Sequence, residues 1–124
     1  MEYTPSYRGE REQIDGAFRH SAFHYLVEVK WERGEATLAA LDTFKAKVDR
    51  KLSSTRGLFL SISGFHDEVI VQFQANATRN VVLMSGEDLT LILEGRLSMQ
   101  DALDLKTNMA AQKGSLFVAL REHV

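Results

Sequence analysis

Apolar and polar positions follow two different periods along this chain, strict alternation near its start and three-and-four spacing further on. Tyr25-Leu26-Val27-Glu28-Val29-Lys30-Trp31 is mostly β-branched, aromatic and aliphatic, and predicts a buried strand over residues 24–31. Side chains two apart on a strand share a face. Glu28 and Lys30 therefore fall on one face, and Val27, Val29 and Trp31 on the other. Residues 13–19 predict a strand before it, with Ile14 and Phe18 on one side and Gln13, Asp15, Ala17 and Arg19 on the other. His20-Ser21-Ala22 is short enough to close the two into a β-hairpin.

The period changes after Arg33-Gly34. Leu38, Leu41, Phe44 or Lys45, Val48 and Leu52 recur three and four apart, as on an amphipathic helix. Glu35 or Thr37 would start it and Ser53-Ser54 would end it. Residues 58–63 form a short apolar strand closed by Gly64, and residues 66–76 a helix with Val69, Ile70 and Phe73 turned inward. A buried strand over 81–84 comes next, then a short helix or strand over 89–93, with helix favoured and Asp88 at its start. Ser98-Met99-Gln100-Asp101 resembles a capping box with Asp in the usual Glu or Gln place. It opens a helix that runs to Lys113 and stops at Gly114. Residues 115–120 offer a final edge strand, and residues 1–11, polar and holding the only proline, an extended or partly disordered arm. This order, β-β-α-β-α-β-α-α with a possible last β, predicts an α/β fold: a mixed sheet with helices on both faces.

Composition narrows the class. A chain of 124 residues, 44% apolar and 26% charged, suits one globular domain spanning 1–124. No apolar run approaches the ~20 residues that span a bilayer, and the first residues lack the apolar core of a secretory signal. With no cysteine, disulfides and thiolate metal sites are excluded. A cytoplasmic location without membrane attachment is the default expectation. The formal net charge of −2 does not fit a non-specific nucleic-acid coat. It leaves room for an enzyme with a local basic patch, and Lys45, Lys47, Arg50, Lys51 and Arg56 supply one. A solvated helix face explains those five residues about as well.

Glu28 and Lys30 are the chemically informative residues, because a carboxylate and an ammonium inside an apolar strand are costly unless paired or metal-bound. Asp15 lies thirteen positions before Glu28, so a hairpin turning near residue 21 brings it level with Glu28 and Lys30. Hard divalent ions such as Mg²⁺ take one or two carboxylates plus water and substrate phosphate. Asp15 and Glu28 would hold the ion, the Val29 carbonyl would add a ligand, and Lys30 would position water or offset charge at phosphorus. A plain Glu–Lys ion pair, or a solvated strand face, is the simpler reading of the spacing D-x12-E-x-K taken alone.

A longer string of segments resembles a known family. Gln13-Ile14-Asp15-Gly16-Ala17-Phe18 and Tyr25 to Trp31 are similar to the Mrr-like restriction endonuclease domain of the PD-(D/E)xK nuclease superfamily. So are Phe44-Lys45-Ala46-Lys47-Val48-Asp49-Arg50, Thr55-Arg56-Gly57-Leu58-Phe59, Ser63-Gly64-Phe65, Leu83-Met84-Ser85-Gly86-Glu87-Asp88-Leu89 and Leu93-Glu94-Gly95-Arg96. The resemblance covers roughly residues 7–118. It implies a restriction-endonuclease-like fold and Mg²⁺-dependent hydrolysis of DNA phosphodiesters, with Mn²⁺ as a substitute ion. By the same resemblance Asp15 matches the first acidic metal ligand, Glu28 the acid of the (D/E)xK element and Lys30 its lysine. Gln13 is a further candidate for contact with substrate or metal-bound water, and Lys47, Arg50 and Arg56 for contact with phosphate.

Two departures stand out. Ile14 replaces the proline of the PD pair, and only about a dozen residues precede the hairpin where family members begin with a helix. Either the chain is a fragment whose missing segment is needed for activity, or it lacks that helix and leaves one sheet face partly bare. A second copy is the natural cover, so a homodimer is expected. The rival function is a catalytically silent nuclease-like module that binds nucleic acid or other proteins. Nucleotide triphosphatase and serine hydrolase readings have little support: no glycine pattern cradles phosphate, and Ser61 and Ser63 lack a glycine elbow. His20, His24 and His66 show no metal-ligand spacing, and His24, on the Glu28 side, is the best placed of them.

Overall fold

The computed structural model describes residues 2–8, 13–75, 80–114 and 117–123, apart from the side chains of residues 2–8, 13–15 and 113. A five-stranded sheet runs in sequence order: β1 (Glu2–Arg8), β2 (Gln13–His20), β3 (Phe23–Lys30), β4 (Thr55–Ser61) and β5 (Val81–Ser85). The first two pairings are antiparallel and the last two parallel, so the sheet is mixed. The β2–β3 hairpin turns at Ser21-Ala22, with Ser21 at φ 59°. The parallel pairs need crossovers, and helices α1 (Leu38–Asp49) and α2 (Asp67–Gln74) provide them. Helices α3 (Gly86–Leu93) and α4 (Met99–Lys113) and a 3-10 turn at Leu120–Glu122 complete the chain.

Each sheet face has its own apolar cluster. Leu26, Phe59, Val81 and Leu83 pack with Leu41, Phe44 and Val48 of α1 and Phe73 of α2. Tyr25, Leu58, Leu60, Val82 and Met84 pack with Leu91 of α3 and Ala102 and Leu103 of α4. Helices therefore cover both faces, as the alternation of the strands requires. The bare face expected from a missing first helix is not found over β3 to β5.

Local signals set the helix ends. The Thr37 hydroxyl accepts from the Ala40 amide at 3.1 Å and opens α1. Ser85 and Asp88 form a complete capping box at α3, each side chain accepting from the other's backbone amide. At Ser98, where the box was expected, only the serine half is present, Oγ accepting from the Asp101 amide. Gly114, at φ 72°, stops α4 in the left-handed conformation that glycine adopts without strain.

Several expectations are corrected. Residues 2–8 are extended but paired, forming an edge strand on β2 rather than a free arm. Trp31 lies past the end of β3 and is 69% exposed, and Leu52 lies past α1 and is 79% exposed, so neither joins the core. Of Phe44 and Lys45, Phe44 is the one in the core, and Lys45 is partly buried and pairs with Asp49. Residues 115 and 116 fall outside the described residues, and 117–119 are not a strand. Phe117 packs with the first cluster and Leu120 with the second, so the tail bridges the two faces. Gly57 lies inside β4 under Phe44 and Val48, where a Cβ would have no room.

Candidate active site

The site lies where β2 and β3 part. Their recorded pairs run from His20–Phe23 to Gly16–Val27 and end there. Glu28 is the next residue on β3, and Asp15 the next on β2. Each therefore lies one residue beyond the last pair of the ladder. The side chains of Asp15 and Gln13 lie outside the described residues, so their partners do not enter the geometry.

Glu28 shares a row with Leu26, which is buried under α1. The strand thereby aims the carboxylate toward the helix. Lys47 of α1 meets it, Nζ to Oε1 at 3.1 Å, with side chains 15% and 25% exposed. Phe44 and Val48, both buried, fix the helix at this point. Glu28, Val29, Lys30, Glu32, Ala40, Lys47 and Phe59 line an open cleft of about 300 Å³.

Lys30 makes a different set of bonds. Its ammonium donates to the carbonyls of Gly34 at 2.7 Å, Glu32 at 3.3 Å and Arg33 at 3.4 Å. An ammonium has three donors, so the chain after β3 folds back as a cradle around it. Ser63 holds the same loop from the far side, Oγ donating to the Glu32 carbonyl at 3.5 Å. The Glu–Lys pair foreseen within the strand is thus replaced by Glu28–Lys47, with Lys30 tied to the loop.

The remaining candidates divide. Arg50 is the C-cap of α1, one turn beyond Lys47. Arg56 belongs to the opposite sheet face: its guanidinium lies 3.5 Å from the centre of the Phe23 ring and donates to the Tyr25 hydroxyl at 3.3 Å. It is not brought together with Glu28 and Lys30. Lys45 is committed to Asp49 at 2.7 Å, and burial of that carboxylate is outweighed by bonds from Lys45 and Asn80, which hold its pKa below the ordinary value. His20 pairs with Asp104 and His66 with Glu35, each at 2.9 Å, and His24 is exposed. Among the described residues no cluster of three or more His, Asp or Glu side chains is present.

The carbonyl cradle of Lys30 was not visible in the sequence. Gly34, at φ 96°, makes its turn possible, whereas in the sequence Arg33-Gly34 marks only a change of period. A second charge pair, Asp88 with Lys106, is fully buried and likewise not visible in the sequence.

A family model described as a restriction endonuclease, Mrr_cat, matches residues 1–93. The chain belongs to this restriction endonuclease family. The match contains β1 to β5 and α1 to α3, and with them Asp15, Glu28, Lys30 and Lys47. It supports the nuclease-like fold, and a nuclease is the family's activity. No curated protein and no solved structure matches this restriction endonuclease domain. No helix among the described residues is long and apolar enough to cross a membrane.

Proposed function

We propose that the chain is a metal-dependent endonuclease that hydrolyses DNA phosphodiester bonds. Asp15 and Glu28 would hold Mg²⁺, or Mn²⁺ in its place, and Lys30 would assist attack by water. The observation that carries this reading is the cleft shared by Glu28, Lys30 and Lys47 beside the end of the β2–β3 ladder, in a chain of the restriction endonuclease family.

The residues suit the ion. Mg²⁺ prefers oxygen donors, usually one or two carboxylates with several waters retained. Glu28 is partly exposed to an open cleft, and its carboxylate already holds a cation, the Lys47 ammonium. Val29 lines the same wall. When bound, the ion neutralises charge on the phosphate and makes a nearby water more acidic.

The chain's own groups do the positioning. Two of the three Lys30 hydrogen bonds are long, those to Glu32 and Arg33. Either is readily exchanged for the attacking water or a phosphate oxygen, while the 2.7 Å bond to Gly34 keeps the ammonium in place. Its positive charge then faces the charge that grows on the phosphate oxygens as the bond to water forms. Lys47 on α1, Arg50 at its C-cap and Gln13 on β2 would contact the substrate backbone. Cleavage of both strands needs two sites, which favours a homodimer.

Incubation with supercoiled plasmid and Mg²⁺ tests this. Nicked or linear product is expected from the wild type, and at least ~100-fold less from Asp15→Ala and Lys30→Ala. The second reading is a catalytically silent module that binds nucleic acid. The closed charge network favours it, with Glu28 on Lys47 and Lys30 on loop carbonyls. An inert wild type that still retards DNA in a gel would select it.

A further inference from the structure

We infer that Lys47 is the resting counter-ion of Glu28, displaced when a divalent cation binds and released toward a substrate phosphate. This rests on Glu28 being a metal ligand. The 3.1 Å pair is partly buried, so neither charge is well served by water alone. A carboxylate built to bind a metal ion needs a cation in the ion's absence, and the helix beside it supplies one. Two positive ions crowded on one carboxylate repel each other, and the ammonium is the one that can shift. It rides on a flexible four-carbon stem, whereas its helix is locked by Phe44 and Val48.

The cleft sets the direction of release. Lys47 and Lys30 both line it, so an ammonium leaving Glu28 remains within the volume where a phosphate would lie. Metal binding would then raise local positive charge twice, by the ion and by the freed lysine. Linkage makes the effect reciprocal: metal favours nucleic acid and nucleic acid favours metal. Lys45, on the same helix, is paired with Asp49 and serves as an internal control.

The test is Mn²⁺ affinity of the whole chain, measured by calorimetry or electron paramagnetic resonance without substrate. Lys47→Met is expected to bind Mn²⁺ about 5- to 150-fold tighter than wild type, the usual span of such couplings. Lys47→Arg, which keeps the counter-ion, and Lys45→Met, which is remote, should stay near the wild-type value. Glu28→Gln should bind weakly whatever stands at 47. In Ca²⁺ against chelator, duplex binding should be strengthened more in wild type than in Lys47→Met. Unchanged Mn²⁺ affinity in Lys47→Met, with Glu28→Gln impaired, overturns the inference and leaves the metal site standing. Unchanged affinity in Glu28→Gln overturns both.

Discussion

Lys106 and Asp88 form a fully buried ion pair, Nζ to Oδ2 at 2.9 Å, that joins α4 to the first turn of α3. The pair is embedded in further bonds. Asp88 accepts from the amides of Ser85 and Leu120, at 3.1 and 3.0 Å. Lys106 donates to the Val118 carbonyl at 2.7 Å and lies 4.5 Å from the centre of the Phe117 ring. These two side chains therefore hold the C-terminal tail against the sheet. Removing one partner strands the other, at a cost of about 3–5 kcal/mol. Lys106→Met should lose that much in urea denaturation at neutral pH; a loss under ~1 kcal/mol would show that the tail is held by apolar contacts instead.

The same pair predicts an alkaline pH dependence. Burial holds the Lys106 pKa below its ordinary value, and Asp88 only partly restores it. With the folded pKa lowered, the unfolded chain binds more protons between the folded and unfolded values. Stability from this group therefore rises with pH across that window, up to about 10.5. The stability difference between wild type and Lys106→Met should widen as pH climbs from neutral toward that limit. A difference that narrows would contradict the lowered pKa.

Gly57 lies where α1 packs tightly on the sheet. A Cβ there would lie 2.5 Å from Cε2 of Phe44 and 2.7 Å from Cγ2 of Val48, both buried. Gly57→Ala pushes α1 outward, at about 1–3 kcal/mol. The same helix carries Lys47, so Mn²⁺ affinity should change along with the denaturation midpoint. Unaltered stability would mean that the two aromatic and aliphatic neighbours yield freely.

Lys47 and Arg56, both basic and both candidates for phosphate contact, should behave differently in DNA binding. In Ca²⁺, Lys47→Ala is expected to reduce the slope of log K against log salt by about one unit, as loss of one phosphate contact does. Arg56→Ala should leave the slope unchanged and lower stability instead, because its guanidinium packs on Phe23 and Tyr25 across the sheet. Equal slopes for the two variants would place the DNA elsewhere.

Much of this architecture was legible before any coordinates. Alternation around Glu28 and the three-and-four spacing of Leu41, Phe44 and Val48 are local patterns, and they located β3 and α1. Ser98 and Gly114 marked the two ends of α4 by their capping chemistry. Trp31 and Leu52 misled because apolar character alone does not distinguish a core position from one just past an element's end. Sheet alternation assigned Glu28 and Lys30 to one face, yet their actual partners, Lys47 and the carbonyls of residues 32–34, come from packing and loop closure. Arg56 belonged to a basic run in sequence but to the other sheet face in space, a distinction that needs the β3–β4 register. Asp88 and Lys106 lie on successive helices and meet through helix packing, which no local pattern in the sequence announces.

A crystal soaked in Mn²⁺ and measured at the manganese absorption edge tests the central claim most directly. An anomalous peak within about 2.0–2.3 Å of oxygens from both Asp15 and Glu28 is the expected result, with the Lys47 ammonium moved off the Glu28 carboxylate. A fully occupied peak elsewhere, or none beside Glu28 with Lys47 still 3.1 Å from it, would contradict the account.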